Sequence, residues 1–352
     1  MSGLTYRGTM TLRGLWSLLL GLLLASSAAS GQGHGDEYDF ALPPSFLEQL
    51  RTQKTLETTV RVVLTDHTAN VHAAAKDCEM HLAGTLAPAN AVDWDPEHIV
   101  VEPPNLCVND PPGGGSWATL FDTSVLNHEV NVTGFFRVFT EHASGKTTPA
   151  NPNHTFEMHP ATAIGAIDFH AFLPPPPELG AITAKSAKSC LEQRTVSVKY
   201  NPEKKWYEFR DQGGQCGNFV ILQVASIRGR WIADVGFTQR GKTAPNTGGH
   251  SAIARVSADG MSRQSVKLYT MPKSTVDDWL MNVKKEKIDP AQVFLHGIFT
   301  YDWFAFVKAL QNRQTGKWAQ PTSWTVIPHP LAFVAFGTTE TEPRGWLGSD
   351  DQ

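Results

Sequence analysis

Apolar and polar residues alternate with the two-residue period of β-strands in the first half of the chain, beginning near residue 55. Short runs rich in branched and aromatic residues are separated by loops containing Gly, Pro, Asn and Asp. The strands predicted from this pattern are 58–64, 79–83, 98–102, 130–139 and 155–159. Before them, the apolar residues of 45–51 recur at helical spacing and predict one short helix.

The second half of the chain repeats this pattern and adds two helical segments. Its predicted strands are 196–200, 205–209, 219–224, 231–235, 266–269 and 324–327, and its predicted helices are 275–285 and 303–312. Five or six short strands with one helix suit a small Greek-key barrel such as the OB-fold. The sequence therefore predicts a mainly β protein of two tandem small Greek-key, OB-like barrels with a few short helices.

An internal similarity supports a duplicated domain. Val132-Thr-Gly-Phe-Phe136, followed by Phe156-Glu-Met-His-Pro160, resembles Leu295-His-Gly-Ile-Phe299, followed by Val326-Ile-Pro-His-Pro330. The distance from the glycine to the histidine of the His-Pro pair is 25 residues in the first copy and 32 in the second, which predicts an insertion in the second. Ile327 stands where the first copy has Glu157, so only the His-Pro pair is shared.

The N-terminus has the features of a secretory signal peptide. Arg7 and Arg13 precede the apolar run 14–24, and small residues continue to Ser30. The apolar run is shorter than the roughly 20 residues of a membrane span, and no later run reaches that length. We therefore expect an exported protein, periplasmic or extracellular, without a transmembrane span. The predicted organisation is signal peptide 1–30, N-terminal arm 31–54, first barrel 55–173, Pro-rich linker 174–186, second barrel 187–340 and tail 341–352.

The four cysteines agree with an oxidising compartment. Cys78 and Cys107 lie in the first predicted barrel, and Cys190 and Cys216 lie in the second. Four cysteines allow three connectivities, and separate domains favour Cys78–Cys107 and Cys190–Cys216. Neither pair has the C-x-x-C spacing of a redox motif or a zinc knuckle.

Charge is distributed unevenly between the two halves. Residues 187–340 hold 20 Lys and Arg against 12 Asp and Glu, a formal +8, in a chain whose net charge is −4. Lys204, Lys205, Arg228 and Arg230 lie close to aromatic residues of the second half and are candidate polyanion-binding residues. The alternatives are a solvated charged surface and an aromatic barrel core.

Two predicted strands each carry a carboxylate and an imidazole two residues apart. Residues two apart in a strand share a face, so Glu79 lies with His81, and Glu157 lies with His159. If the strands are neighbours, the four side chains converge on a site suited to Zn²⁺, Mn²⁺ or Fe²⁺, or to acid/base catalysis. The alternative is a set of structural carboxylate–imidazole hydrogen bonds. No other cofactor is predicted.

Motifs in the first half resemble a domain of secreted bacterial proteins. They are D-x-E-x-H-L at 77–82, E-P-P-N-x-C at 102–107, V-T-G-F-F at 132–136 and E-M-H-P at 157–160. The family typically reads D-G-D-x-H-L, a Pro and Cys segment, V-x-V-T-G, a His-Gly turn and N-x-x-E-x-H-P. The resemblance covers about residues 70–165 and implies an exported β-barrel-like domain without implying an activity. The chain departs from the pattern at Cys78 for Gly, Glu79 for Asp and Ala143 for Gly.

The stretch Gly236–Thr243 fits the P-loop pattern G-x-x-x-x-G-K-T. A P-loop needs a helix directly after its Lys-Thr, and the Ala-Pro-Asn-Thr-Gly-Gly that follows here does not propagate one. We interpret this stretch as a basic hairpin loop.

Two functions are consistent with these observations. The first is a non-enzymatic exported binding or envelope-associated protein whose barrels hold a polymer, a small ligand or a partner protein, with a polyanion as the candidate for the basic second half. The alternative is a metal-dependent hydrolase that uses the carboxylate/histidine site of the first barrel. The sequence indicates neither the ligand nor the oligomeric state.

Overall fold

The structure is a computed structural model, and the statements below concern the residues that it describes. These residues are 39–52, 56–73, 78–87, 98–138, 147–152, 154, 156–173, 194–212, 219–227, 233–234, 249–257, 264–271, 274–286, 293–312 and 315–339. The predictions that fall outside them are the signal peptide, the linker, the tail, Cys190, Cys216, Arg228, Arg230 and the 236–243 motif. None of the helices within these ranges is long and apolar enough to cross a membrane.

Sixteen strands and four α-helices make up the described part of the chain. The strands are β1 Phe40–Leu42, β2 Thr58–His67, β3 Leu82–Leu86, β4 His98–Val101, β5 Glu129–Val138, β6 Phe156–Ile164, β7 Ile167–Asp168, β8 Thr195–Asn201, β9 Trp206–Gln212, β10 Val220–Ile227, β11 Ala233–Asp234, β12 His250–Ser257, β13 Gln264–Thr270, β14 Phe294–Tyr301, β15 Thr325–Ile327 and β16 Leu331–Thr339. The helices are α1 Pro44–Thr52, α2 Trp117–Ser124, α3 Thr275–Glu286 and α4 Trp303–Leu310.

Strands β2 to β6 form the first closed barrel. Its antiparallel neighbours are β2–β3, β3–β4, β2–β5 and β5–β6. A parallel pairing of β4 with β6 closes the ring. Numbered within the barrel, the strands run 1-2-3-5-4-1, which is the Greek-key connectivity of the OB-fold. Helix α2 connects the third strand to the fourth.

The second barrel repeats this connectivity with β10, β12, β13, β14 and β16. Its third and fifth strands, β13 and β16, are again the parallel pair, and β10 pairs with β12 to close the ring. Helix α3 lies between the third and fourth strands, as α2 does in the first barrel. The two barrels confirm the predicted fold class.

A four-stranded antiparallel sheet, in the order β1-β9-β8-β15, accompanies the barrels. The sequence predicted β8, β9 and β15 as strands, but it gave no sign that they pair with one another and with β1. Phe40 of β1 stacks on Phe209 of β9 with ring centroids 4.7 Å apart and meets Phe156 of β6 edge-on at 6.4 Å. The sheet, the first barrel, α1 and α4 therefore share one apolar core.

A second apolar cluster joins the outer faces of the two barrels. Phe135 of β5 contacts Phe336 of β16, with ring centroids 5.6 Å apart. Trp303, at the start of α4, donates its indole N–H to the carbonyl of Phe136 at 3.1 Å. The buried members of this cluster are Leu56, Phe135, Leu173, Phe219, Tyr269, Met271, Ile298, Phe304, Ala332, Val334 and Phe336. The barrels thus pack side by side through β5 on one and through β14 and β16 on the other.

The predicted disulfide between Cys78 and Cys107 is confirmed, with Cα atoms 5.1 Å apart. It joins the segment before β3 to the segment after β4 across 29 residues of sequence. A loop of this size typically gives a stabilisation of about 2–4 kcal/mol through its effect on the unfolded chain.

Equivalent glycines support half of the predicted internal similarity. Gly134 of β5 lies opposite Ala161, and Gly297 of β14 lies opposite Ala335, so the two glycines occupy the same position in fourth strands. The residues of the second barrel that correspond to His159 and Pro160 therefore lie within β16, just before Ala335. His329 and Pro330 precede β16, and their predicted equivalence to His159 and Pro160 is wrong.

His170 links the two ends of the first barrel's chain through two carboxylates. Its Nδ1 lies 2.6 Å from Asp168 Oδ1, and its Nε2 lies 2.9 Å from Glu57 Oε1. The hydrogen bond to Glu57, aided by the charges of both carboxylates, raises the pKa of His170 to about 9. The imidazolium form is therefore favoured in the folded state at neutral pH.

We expect His170→Gln to lower the free energy of unfolding by about 1 kcal/mol at pH 6, a value kept small because the side chain is 44% exposed. Because the folded-state pKa is raised above the usual 6.5, this contribution is complete below about pH 6.5 and disappears as the pH rises through about 9. Urea unfolding of both proteins at pH 6, 8 and 10 measures the difference. A constant difference across this range contradicts the assignment. The exposed His128, which contacts a backbone carbonyl, provides the control variant His128→Gln.

Candidate functional site

A β-bulge in β6 shapes the most unusual polar site of the described residues. Gly134 of β5 lies opposite Ala161, and Phe136 lies opposite Met158. Two residues of β6, His159 and Pro160, therefore oppose the single residue Phe135 of β5. Bulges of this kind redirect side chains and are frequent beside functional sites.

Alternation along β6 sends its apolar and polar side chains to opposite faces. Phe156 and Met158 belong to the core inside the first barrel. Glu157 and His159 lie on the other face, and they are nevertheless buried, with 1% and 0% of their surface exposed. Phe219, which precedes β10 of the second barrel, contacts the ring of His159 at 5.7 Å between centroids. The polar face of β6 is thus covered by the neighbouring barrel.

Two carboxylates from outside β6 approach His159. Glu79 precedes β3 and places Oε1 2.8 Å from His159 Nε2. Glu102 follows β4 and places Oε2 3.5 Å from the same nitrogen. The donor atoms of Glu79, Glu102 and His159 all lie within 4.8 Å of one another, and all three residues are buried. This trio is the group of described residues whose geometry allows a shared metal ion.

Three further side chains surround the trio. His81 Nε2 lies 3.1 Å from Glu102 Oε1. Arg137 of β5 lies directly across from Glu157 and donates from Nε to its Oε2 at 2.5 Å. We call these six residues the carboxylate–imidazole cluster: Glu79, His81, Glu102, Arg137, Glu157 and His159.

The pKa values of two carboxyl groups in the cluster are shifted in opposite directions. Burial raises the pKa of Glu102 well above its usual range, and the neighbouring charges of Glu157 and Glu79 raise it further. Burial also disfavours the charged form of Glu157, but Arg137 and His159 outweigh this effect and lower its pKa to about 2. Glu157 is therefore a carboxylate fixed in an ion pair, whereas Glu102 readily carries a proton.

The sequence predicted four candidate metal ligands, and the structure places two of them in the trio and two beside it. Glu79 and His159 lie together as predicted. His81 contacts Glu102, and Glu157 pairs with Arg137, so these two lie around the trio rather than within it. Glu102 was missed because its position depends on the parallel pairing of β4 with β6. Its backbone N–H donates to the carbonyl of Met158 at 3.0 Å, which local periodicity does not reveal.

The described residues of the second barrel contain no equivalent of this cluster. The cross-strand pair Arg137 and Glu157 corresponds to Thr300 and Ala332 in β14 and β16. At these positions the two barrels therefore share the backbone pairing and not the ionisable side chains.

A cleft of about 590 Å³ lies beside the disulfide of the first barrel. Its polar lining side chains are Asn70, Asn109, Asp110 and Ser116, and Trp117 forms part of its apolar surface. The volume is typical of a small-ligand site. Among the described residues of the lining, Asp110 is the one ionisable side chain, since Cys107 is in the disulfide.

Cationic side chains lie over tryptophan rings on the outer face of the four-stranded sheet. The guanidinium of Arg210 is 4.1 Å and the ammonium of Lys199 is 5.3 Å from the ring centroid of Trp324. Lys204 lies 5.6 Å from the ring of Trp206. We call these five residues the cation–tryptophan surface. Of the candidate polyanion-binding residues, Lys204 and Lys205 are exposed in the turn between β8 and β9.

The chain matches no protein-family model, and no curated protein has a significantly similar sequence. The resemblance to a secreted bacterial domain therefore stays a prediction, and the functional conclusions rest on the geometry described above.

Proposed function

We propose that the protein is an exported, non-enzymatic binding protein that holds an anionic polymer on the cation–tryptophan surface. The observation that carries this proposal is the placement of Arg210, Lys199 and Lys204 over two tryptophan rings on one face of the sheet. Cations paired with aromatic rings suit a chain that presents both charged groups and flat rings. Polymers of this kind include acidic polysaccharides and single-stranded nucleic acids.

The two faces of the four-stranded sheet differ in a way that supports this role. Val196, Val198 and Phe209 turn inward and are buried in the shared core. Ser197 and Arg210, which lie opposite each other in β8 and β9, turn outward. Val326, the residue of β15 opposite Ser197, is 66% exposed. The outer face thus places the exposed Val326 beside its cations, while Trp206 and Glu208 on the same face are 8% and 1% exposed.

One buried carboxylate reduces the charge of this surface without cancelling it. Glu208 lies opposite Lys199 in the sheet, with 3.4 Å between its Oε2 and Lys199 Nζ. Asn201 donates to the other oxygen of Glu208 at 2.6 Å. Lys204 and Lys205 extend the surface into solvent at the β8–β9 turn, where an extended anion can reach them.

The geometry gives less support to a metal-dependent hydrolase. A catalytic metal site keeps one coordination position open for water or substrate. Glu79, Glu102 and His159 are 0–3% exposed. A substrate therefore has no direct access to the trio in this conformation.

Charge reversal tests the polyanion proposal. Lys204→Glu with Lys205→Glu is expected to elute from a heparin column at lower salt than the unmodified protein. The slope of log K against log salt concentration should fall by about 1–2, because two ionic contacts are lost.

The control for this experiment changes the same number of charges elsewhere. Arg255 of β12 and Lys308 of α4 are exposed and lie outside the four-stranded sheet. Arg255→Glu with Lys308→Glu should elute much closer to the unmodified protein. Equal elution of the two double variants removes the cation–tryptophan surface as the binding site.

A further inference from the structure

We propose that Glu79, Glu102 and His159 form a structural site for one divalent metal ion of the zinc class, buried between the two barrels. The site is distinct from the proposed polymer-binding surface and belongs to the first barrel. It differs from the predicted site of Glu79, His81, Glu157 and His159, because Glu102 takes the place of Glu157 and His81 is not a ligand.

The donor atoms have the spacing that a common ion requires. Zinc bonds to imidazole nitrogen and carboxylate oxygen are about 2.0–2.2 Å long, so neighbouring donors in a tetrahedral or octahedral shell lie about 3–3.5 Å apart. The distances from His159 Nε2 are 2.8 Å to Glu79 Oε1 and 3.5 Å to Glu102 Oε2. The remaining distance, between the two carboxylates, is at most 4.8 Å.

One oxygen within the trio points to a ligand. Glu102 Oε2 is inaccessible to solvent and accepts no hydrogen bond from the described residues. A buried carboxylate oxygen normally has a donor or a cation beside it, because its desolvation is otherwise uncompensated. Its close neighbour is the His159 nitrogen at 3.5 Å, beyond the usual length of a charge-assisted hydrogen bond. An ion beside Glu102 Oε2 would compensate this oxygen.

The formal charges of the cluster agree with a divalent ion. Metal ligation requires a neutral His159 and a deprotonated Glu102, so binding would release the proton that Glu102 otherwise carries. In that state three carboxylates and one guanidinium leave a charge of −2 when both imidazoles are neutral. One divalent cation brings the cluster to neutrality. A mixed set of carboxylate and imidazole donors suits zinc, manganese or iron(II).

The neighbours of the trio occupy the positions of outer-shell partners. His81 contacts the Glu102 oxygen that does not face His159, and this contact fixes the orientation of the carboxylate. Arg137 forms an ion pair with Glu157 at the edge of the trio, and the Glu157 carboxyl in turn contacts that of Glu102. Outer-shell partners of this kind orient metal ligands and tune their affinity.

A metal here would tie together three parts of the first barrel next to its contact with the second. Glu79 follows the disulfide-bonded Cys78, Glu102 follows β4, and His159 lies in the bulge of β6. The ring of His159 in turn contacts Phe219. The surroundings are closed to a substrate, as those of a structural site are, and a tetrahedral ion here would take its fourth ligand from outside the trio.

Metal analysis of the full-length protein, purified without a polyhistidine tag, tests this inference. We expect about one zinc, manganese or iron atom per chain by mass spectrometry. After removal of the metal by a chelator, Co²⁺ should bind with one equivalent and give the absorption bands of a nitrogen- and oxygen-ligated ion. Zn²⁺ should raise the melting temperature of the chelator-treated protein.

Two variants and one control locate the site. Glu102→Gln and His159→Gln should each weaken Co²⁺ binding by more than the 10- to 100-fold that loss of an outer partner causes. His170→Gln removes an imidazole that also lies between two carboxylates, but on the surface, and should bind Co²⁺ as the unmodified protein does.

Three outcomes overturn the inference. The first is chelator-treated unmodified protein that neither binds Co²⁺ nor gains thermal stability from Zn²⁺. The second is binding that Glu102→Gln and His159→Gln leave intact. The third applies if these variants do not fold: an NMR spectrum of the Co²⁺-treated unmodified protein that shows no imidazole resonance shifted by the ion. Heparin retention reports on the other surface, so the failure of one proposal leaves the other standing.

Discussion

Replacing Arg137 with methionine is expected to lower the free energy of unfolding by about 3–5 kcal/mol at neutral pH. Arg137 and Glu157 form a cross-strand ion pair whose side chains are 8% and 2% exposed. Without the guanidinium, the carboxylate of Glu157 is left in a buried site with one cation fewer. The loss is large because the unpaired charge is desolvated and not because the pair itself is strong.

A double variant separates these two explanations. Arg137→Met combined with Glu157→Leu removes both charges and should recover the larger part of the stability lost in Arg137→Met. Urea unfolding of the two single variants and the double variant gives the coupling energy. Additive losses would contradict the explanation, because they mean that neither residue depends on the other.

An exposed pair in the same barrel provides the control. Arg61 of β2 and Glu129 of β5 also pair across strands, but their side chains are 48% and 36% exposed. Arg61→Met should therefore cost no more than about 1 kcal/mol. A similar cost at both arginines would show that burial does not set the difference.

Gly297→Ala is expected to destabilise the protein by about 3 kcal/mol, near the upper end of what overpacking usually costs. A Cβ atom at this position would lie 2.0 Å from the carbonyl oxygen of Val334 and 2.8 Å from its carbonyl carbon. Both atoms belong to the backbone of β16, so β14 and β16 must move apart. Gly134→Ala should behave similarly, since its Cβ would lie 2.5 Å from the carbonyl oxygen of Pro160.

Gly337→Ala is the matched control for the glycine variants. Gly337 also lies in β16, but a Cβ there meets no atom within 4 Å. We expect the free energy of unfolding of Gly337→Ala to remain within about 0.5 kcal/mol of the value for the unmodified protein. If all three variants were equally stable, close backbone approach would not be the reason for glycine at 134 and 297.

The sequence predicted those parts of the fold that depend on local alternation. The outward placement of Glu157 and His159, against the inward Phe156 and Met158, follows from the two-residue period of a strand. The Cys78–Cys107 disulfide follows from the division of the chain into two barrels. The glycines of the fourth strands were found because the duplicated backbone retains the same close approach.

The remaining features depend on pairing between segments that are distant in the chain. Strand β1 has three residues, too few to show a period, and its pairing with β9 is set by the shared core. Glu102 joins the cluster only through the parallel contact of β4 with β6. The equivalence predicted from the His-Pro pairs was wrong because His329 and Pro330 precede β16, whereas His159 and Pro160 lie within β6. Helix α2 was missed because its eight residues follow a Gly- and Pro-rich segment that reads as a loop.

The four-stranded sheet has a consequence for the order of folding. Its strands come from the beginning of the described chain, from the segment between the barrels and from the segment before β16. During synthesis, β1 has no partner until β9 has been made, and the sheet remains incomplete until Ile327 is available. The apolar core of the first barrel therefore stays partly uncovered while the second is being made. Long-range pairing of this kind slows folding, and the growing chain needs protection from aggregation until its last strands arrive.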